Sequence, residues 1–376
     1  MNDGIYESFG VSTVINASGK MTNLGGSVLS AGVAEAMRQA SQRHVDLDAL
    51  LARAGALVAE ATGSEAAWLT TGAAAGIVLS VASVIAGTDP YRISLLPDAS
   101  FTSRREILLQ AGHQVNFGAP VTQMIRLGGG VPVVVGAVNG TSRTQVASAV
   151  GPSTAALLFV QSHHAVQKGA VALADFVAIA RDRSVPLIVD AAAEEDLRAY
   201  VSTGADLVAY SGGKAIGGPT SGFVAGRRDL IEGVRAQNRG IGRPMKISKE
   251  QIAGFLAALR EYLAADAEAF ARRNQRSARL AEQLRGIPGL SVGLEADEAG
   301  RAITRVALRP EPSLGLSARE LAEQLAAGSP SIRVRGHQAS LGTILLDPRE
   351  LTPGAEEIIV ERVRAIISRT PSAAPR

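Results

Sequence analysis

The chain has 376 residues, more than a single small core needs, so two domains are expected. Its net charge is only +3, with Lys and Arg scattered, which argues against a nucleic-acid partner, and the lack of cysteine excludes disulfides, thiolate catalysis and Cys-based metal sites. No apolar run reaches ~18 residues and no charged-then-apolar leader opens the chain, so a cytoplasmic protein with no membrane partner is expected.

Residues 1–30 read as an irregular arm rich in Gly, Ser and Asn, carrying Asn16, Ser18 and Lys20. Helices are predicted near 31–42 and 47–62. Strand-like segments follow at 66–69, 91–96, 131–135, 155–160, 187–189, 207–210 and 221–226, with helical patterns at 72–86, 103–110 and 173–182. Such alternation implies a mostly parallel sheet with helices on both faces, and 46% hydrophobic residues with 40 glycines suit a compact α/β core. Near 245 the character changes. A long charged helical stretch spans 248–285, and short strands near 290–293, 303–308, 332–335 and 343–346 suggest a small sheet covered by helices near 317–327 and 354–368. The expected division is an arm over 1–30, a large domain over 31–245 and a small domain over 246–376.

Two residues carry the chemistry. Val185-Pro186-Leu187-Ile188-Val189-Asp190 is an apolar strand ending in a carboxylate, and Ala205-Asp206-Leu207-Val208-Ala209-Tyr210 runs into Ser211-Gly212-Gly213-Lys214. An Asp and a Lys at the ends of adjacent buried strands are costly to keep without a task. Pyridoxal 5'-phosphate (PLP) supplies one: the lysine holds the cofactor as a Schiff base and the acid keeps its pyridine nitrogen protonated. Taken singly, Asp190 could be a helix N-cap and Lys214 a surface lysine. Thr71, Gly72 and Ala73 open a helix at a strand end, where free N–H groups and small side chains favour a phosphate, and Ser211 could add a hydroxyl. Gly213-Lys214 is not a nucleotide P-loop, because Val208 stands where its first glycine belongs and Ala215 replaces Ser/Thr. His163-His164 lacks metal-ligand spacing, and no metal is expected; one of the two, His163 foremost, is a candidate proton donor from the end of strand 155–160.

The blocks Asn16-Ala17-Ser18-Gly19, Thr62-Gly63-Ser64-Glu65-Ala66-Ala67, Val189-Asp190-Ala191-Ala192-Ala193-Glu194, Ser211-Gly212-Gly213-Lys214-Ala215-Ile216-Gly217-Gly218-Pro219 and Gly240-Ile241-Gly242-Arg243-Pro244-Met245-Lys246 resemble the selenocysteine-synthase-related branch of fold-type-I PLP enzymes, nearest the D-glucosaminate-6-phosphate ammonia-lyase group. The similarity runs from about residue 10 to 365. It implies an α/β fold-type-I architecture, a mostly parallel seven-stranded sheet with helices on both faces plus a smaller C-terminal α+β domain, assembled as a homodimer or higher homo-oligomer. It makes Lys214 the Schiff-base lysine, Asp190 the ring partner, and Thr71, Gly72, Ala73 and Ser211 phosphate contacts. Arg243 would serve a phosphate or a structural ion pair. Arg335 is the candidate for the substrate carboxylate, with Arg333 as the alternative since strand alternation points both the same way, and Asn16, Ser18 and Lys20 would line the substrate mouth. A ring-stacking residue is not evident; Phe101 occupies the expected region. The chain begins close to the catalytic arm, without the additional tRNA-binding region of selenocysteine synthase, so a tRNA substrate is not expected.

The expected activity is a PLP-dependent ammonia-lyase acting on a β-hydroxy amino acid of sugar origin, a small-molecule substrate such as D-glucosaminate 6-phosphate. Aldol cleavage, racemisation and transamination share Lys214 and Asp190, and a non-catalytic PLP-fold protein is the remaining alternative.

Overall fold

A computed structural model describes residues 4–162, 164–265, 267–297 and 301–369. In chain order its strands are β1 (Val14–Ala17), β2 (Ala66–Thr70), β3 (Glu106–Gln110), β4 (Val131–Val135), β5 (Thr154–Val160), β6 (Leu187–Asp190), β7 (Leu207–Ser211), β8 (Gly222–Gly226), β9 (Leu290–Ala296), β10 (Thr304–Pro310), β11 (Ser331–Val334) and β12 (Ile344–Leu346). By contacts the chain forms two compact units, Leu29–Ala264 and Met1–Val28 with Ala265–Arg376.

The larger unit holds a seven-stranded sheet in the order β2-β8-β7-β6-β5-β3-β4. Every neighbouring pair is parallel except those made by β8, which runs antiparallel to both β2 and β7. β5, Thr-Ala-Ala-Leu-Leu-Phe-Val, is buried at all seven positions, as a strand covered on both faces must be. The helix Ala73–Ala86 packs on β7 and β8; at Gly76 an added Cβ would lie 3.2 Å from that of Ala209, which sets how close helix and sheet come.

Two local readings are corrected. Residues 91–96 are not a strand: Pro90–Leu95 is a helix whose start is fixed by the Asp89 side chain accepting from the N–H groups of Tyr91 and Arg92, with Pro90 at the first helical position. Residues 103–110 are not a helix: Glu106–Gln110 is strand β3. Its Leu-rich composition favours helix, but Ile107, Leu108 and Leu109 lie between β4 and β5 with at most 1% exposure, and burial on both faces overrides that preference. The helical stretch 248–285 is two helices, Lys249–Ala264 and Ala267–Leu284. The first belongs to the larger unit, where Ile252, Phe255, Ala258 and Leu259 join the core and Gly254 lets Met37 approach.

The smaller unit contains the antiparallel sheet β12-β10-β9 and a second, two-stranded sheet. The arm is not irregular throughout: Val14–Ala17 pairs in parallel with Ser331–Val334, Ile15 opposite Ile332. Four residues are too few to show alternation, and the partner strand lies more than 300 residues away in sequence. Among the described residues no helix is long and apolar enough to cross a membrane.

Candidate active site

β2, β6 and β7 run the same way and end along one edge of the large sheet. Gly222 of β8 is in register with Thr70 on one side and Ser211 on the other, and Asp190 of β6 lies opposite Ala209 of β7. The two stretches expected to hold a phosphate, Thr71–Ala73 and Ser211, therefore flank one glycine. That glycine is obligatory: a Cβ at Gly222 would fall 2.6 Å from the carbonyl carbon of Gly72 and 2.7 Å from the Tyr210 oxygen. The turn is fixed by the Thr70 hydroxyl, which donates to the Gly72 carbonyl at 2.9 Å. The helix then begins at Gly72 with no side-chain cap, so the N–H groups of its first turn are left to whatever anion sits there.

Beyond Ser211 the chain closes a small loop on itself. The Gly212 N–H donates to Ser221 O and the Gly218 N–H to Gly212 O, both at 2.8 Å, and the Gly217 N–H donates to Lys214 O at 3.1 Å. Gly212 has room for no side chain, since a Cβ would lie 2.2 Å from the Ser221 hydroxyl and 2.8 Å from the Phe255 ring. Lys214 is thereby held half-buried, three residues past the end of β7.

Asp190 ends β6 with 5% exposure. The Ala192 N–H donates to it at 3.1 Å. Burial pushes its carboxyl up to about 6; the Lys214 ammonium and the Ala192 N–H pull it down, and the Glu194 charge adds to the rise. Glu194 itself is buried and accepts from the Tyr200 hydroxyl at 2.7 Å. Sequence reasoning gave Glu194 no role; its only signal is its place four residues after Asp190, in the loop leaving the same strand.

These groups fit PLP: an uncapped helix start with a glycine-lined approach for the phosphate, a buried carboxylate for the ring nitrogen, and an amine near that carboxylate for the carbonyl carbon. A cavity of about 660 Å³ opens elsewhere, lined by Arg104, Ala155, Pro186, Asp206 and Arg227 where β5, β6 and β7 begin, and includes none of them. Gly222→Ala is expected to weaken PLP binding at least ~10-fold and to lower stability by roughly 1–3 kcal/mol, because the added methyl meets backbone rather than a movable side chain. Equilibrium dialysis with PLP and thermal melts measure the two effects.

The other expected residues fall into separate places. Asn16, Ser18 and Arg335 lie together in the smaller unit: the Asn16 amide oxygen accepts from the Ser18 N–H at 3.0 Å, and Arg335 Nη1 donates to the Ser18 carbonyl at 3.4 Å. Arg333 and Arg335 do not share surroundings. Arg333 is exposed on β11, whereas Arg335 lies past the end of that strand, bridged to Leu345 and half-buried, so the alternation argument does not reach it. Arg243 is exposed on the short turn Arg243–Met245, and none of its ion pairs appears among the described residues. Phe101 lies on the connection entering β3, with Arg92 over its ring, away from the carboxyl edge. His164 is exposed, and its N–H donates to the Ser162 hydroxyl. His163 lies outside the described residues. Among those residues no cluster of His, Asp and Glu is placed to hold a metal ion.

Comparison with known proteins bears on this arrangement. The model for SelA, L-seryl-tRNA selenium transferase, matches residues 14–272. The chain belongs to this family. It is 49% identical to a 5'-C-glycyluridine monooxygenase-decarboxylase from a Streptomyces species, over 96% of the chain and 92% of that protein. It is 45% identical to the D-glucosaminate-6-phosphate ammonia lyase of Salmonella typhimurium, over 97% of the chain and 98% of the relative. A solved structure of a D-glucosaminate-6-phosphate ammonia-lyase superposes with a TM-score of 0.90, covering 98% of this chain and all of that one at 45% identity. The ureidoglycine-glyoxylate aminotransferase of Bacillus subtilis, at 14% identity and a TM-score of 0.62, shares the fold alone. The chain is thus an enzyme of the SelA family with the α/β fold-type-I architecture, and Asp190 and Lys214 stand at the carboxyl edge of its large sheet.

Proposed function

We propose that this SelA-family enzyme is a PLP-dependent ammonia-lyase that eliminates water across Cα and Cβ of a sugar-derived β-hydroxy amino acid, D-glucosaminate 6-phosphate, giving a 2-keto-3-deoxy acid and ammonia. The observation that carries the reading is the meeting of Asp190, Lys214 and the uncapped helix start on one sheet edge, in a chain similar over nearly its whole length to a lyase of that name.

Bound there, PLP supplies an electron-withdrawing ring conjugated to the substrate's Cα. The protein's own groups do the rest. The first N–H groups of the helix Ala73–Ala86, with Thr71 and Ser211, take the cofactor phosphate. Asp190, ionised and buried, holds a proton on the ring nitrogen. Lys214 Nζ anchors the carbonyl carbon between turnovers and takes the Cα proton during them. Arg335 is assigned to the substrate carboxylate, Asn16 and Ser18 to the substrate mouth, and Arg243 to a phosphate. We place the enzyme in the cytoplasm and read it as a homo-oligomer; the exposed apolar side chains Ile5, Tyr6, Phe9 and Val11 at the start of the arm support the assembly.

The test is product analysis with D-glucosaminate 6-phosphate. Equal release of ammonia and a 2-keto acid is expected. The 49% identical relative carries a second reading, oxidative decarboxylation of a glycyl nucleoside; dioxygen uptake with carbon dioxide release from 5'-C-glycyluridine, and no ammonia from the sugar acid, would replace the first reading with it.

A further inference from the structure

The smaller unit buries a lattice of charge centred on Asp347, which directly follows β12 and has 0% exposure. Arg349 grips both of its oxygens, Nε on Oδ1 and Nη2 on Oδ2, each at 2.8 Å. Arg305 Nε donates to Oδ2 at 3.1 Å and its Nη1 continues to Asp297 Oδ1 at 2.8 Å, where Arg301 is also held. Despite burial, which opposes it, Arg349 and Arg305 hold the Asp347 carboxyl down at about 2, so it is charged at every working pH.

The arm is seated on this carboxylate. The Asp347 N–H donates to Ala17 O at 2.8 Å. Gly19 has φ +82°, and a Cβ there would lie 2.6 Å from Asp347 Oδ2, so the turn lies directly on the carboxylate. Asn16 closes that turn, its amide nitrogen donating to Gly19 O at 2.9 Å. Arg335 joins the same place. Its backbone exchanges two hydrogen bonds with Leu345, two residues before Asp347, and its Nη1 reaches the Ser18 carbonyl of the turn.

Arg335 differs from Arg305 and Arg349. Each of those has a carboxylate, whereas among the described residues Arg335 Nε is buried without an acceptor and the Nη1 bond to Ser18 is long. A guanidinium so placed is short of an anion. We propose that Asp347 is the positioning residue of a carboxylate site at Arg335: it occupies Arg305 and Arg349, leaves the neighbouring Arg335 guanidinium able to take the ligand, and seats the arm turn that orients Arg335. This rests on the assignment of a sugar-acid phosphate as substrate.

Two non-reacting probes isolate the carboxylate contribution. 6-Phosphogluconate has the carboxylate and phosphate of the proposed substrate without its amine, and sorbitol 6-phosphate lacks the carboxylate. Calorimetric titration of the PLP-loaded protein should show the first binding more tightly. In Asp347→Asn the affinity for 6-phosphogluconate should fall ~10-fold and that for sorbitol 6-phosphate should not change, because only the carboxylate contact is lost. Arg335→Lys should do the same. A merely structural role for Asp347 would weaken both probes or neither, and either result overturns the proposal. An Arg335→Lys variant that loses the carboxylate preference beside an Asp347→Asn variant that keeps it overturns the Asp347 role alone. A parent protein that binds neither probe overturns the substrate assignment and the proposal with it. Should Asp347→Asn not fold, Gly19→Ala decides, since its methyl presses on the same carboxylate from the arm side: selective loss of 6-phosphogluconate binding supports the proposal, and unchanged selectivity overturns it.

Discussion

Lys214→Ala is expected to abolish covalent attachment of PLP and to reduce turnover at least ~10³-fold, since the lysine both anchors the cofactor and moves the Cα proton. Borohydride reduction followed by peptide mapping reads the first effect without any substrate: the parent protein should carry a pyridoxyl adduct on the peptide containing Lys214, and the variant should carry none. The loop that presents Lys214 depends on the close approach of Gly212 to Ser221 and on backbone hydrogen bonds, none of which involves the lysine side chain, so the variant should fold and retain non-covalent PLP on the helix start. An adduct on another lysine, or full turnover in the variant, would return Lys214 to the role of a loop lysine.

The second large effect is at Asp190, where function and stability are expected to move in opposite directions. Burial raises the carboxyl of the cofactor-free protein to about 6 from the ordinary 3.8. A carboxyl raised in the folded state favours folding most when protonated, so its contribution is complete below about pH 4 and is lost as pH rises through about 6. At pH 7 to 8 the ionised, buried group costs about 3 kcal/mol relative to its value at low pH. Asp190→Asn keeps an oxygen for the Ala192 N–H and removes the charge. The cofactor-free variant should therefore melt higher than the parent at pH 7.5 and no higher at pH 4. Loaded with PLP, it should lose at least ~10²-fold in turnover, because the amide cannot hold a proton on the ring nitrogen. Melting curves of cofactor-free protein across this pH range check the first part; an equal melting temperature at pH 7.5 would show that Asp190 is not desolvated as described. The Glu194 carboxylate contributes to the same rise, so Glu194→Gln should narrow the stability difference slightly and in the same direction.

The candidate site was legible wherever it obeys local rules. An apolar strand ending in Asp190, another running into Ser211-Gly212-Gly213-Lys214, and a small-residue turn opening a helix at Gly72 are each visible in a few consecutive residues. The errors at 91–96 and 103–110 arose where local preference was ambiguous. Tyr-Arg-Ile-Ser-Leu-Leu contains the residues of a strand, yet Asp89 and Pro90 start a helix; Glu-Ile-Leu-Leu-Gln contains the residues of a helix, yet it is enclosed by β4 and β5. Asp347 shows a different failure. Leu345-Leu346-Asp347 carries the same signal as Val189-Asp190, an apolar run ending in a carboxylate, but its importance comes from partners at 17, 19, 305 and 349.

The sequence by itself determined the fold class, the alternation that builds the large sheet, and the order of the groups that fit PLP, because strand periodicity, strand-end polar residues and glycine turns are short-range properties. Only the tertiary structure decided that Gly222 stands between Thr70 and Ser211, that Glu194 adds its charge to Asp190, that the arm strand pairs with β11, and that Arg335 is half-buried while Arg333 is exposed. Each of these depends on contacts between residues distant along the chain or on burial by several elements at once, and neither spacing nor composition encodes them.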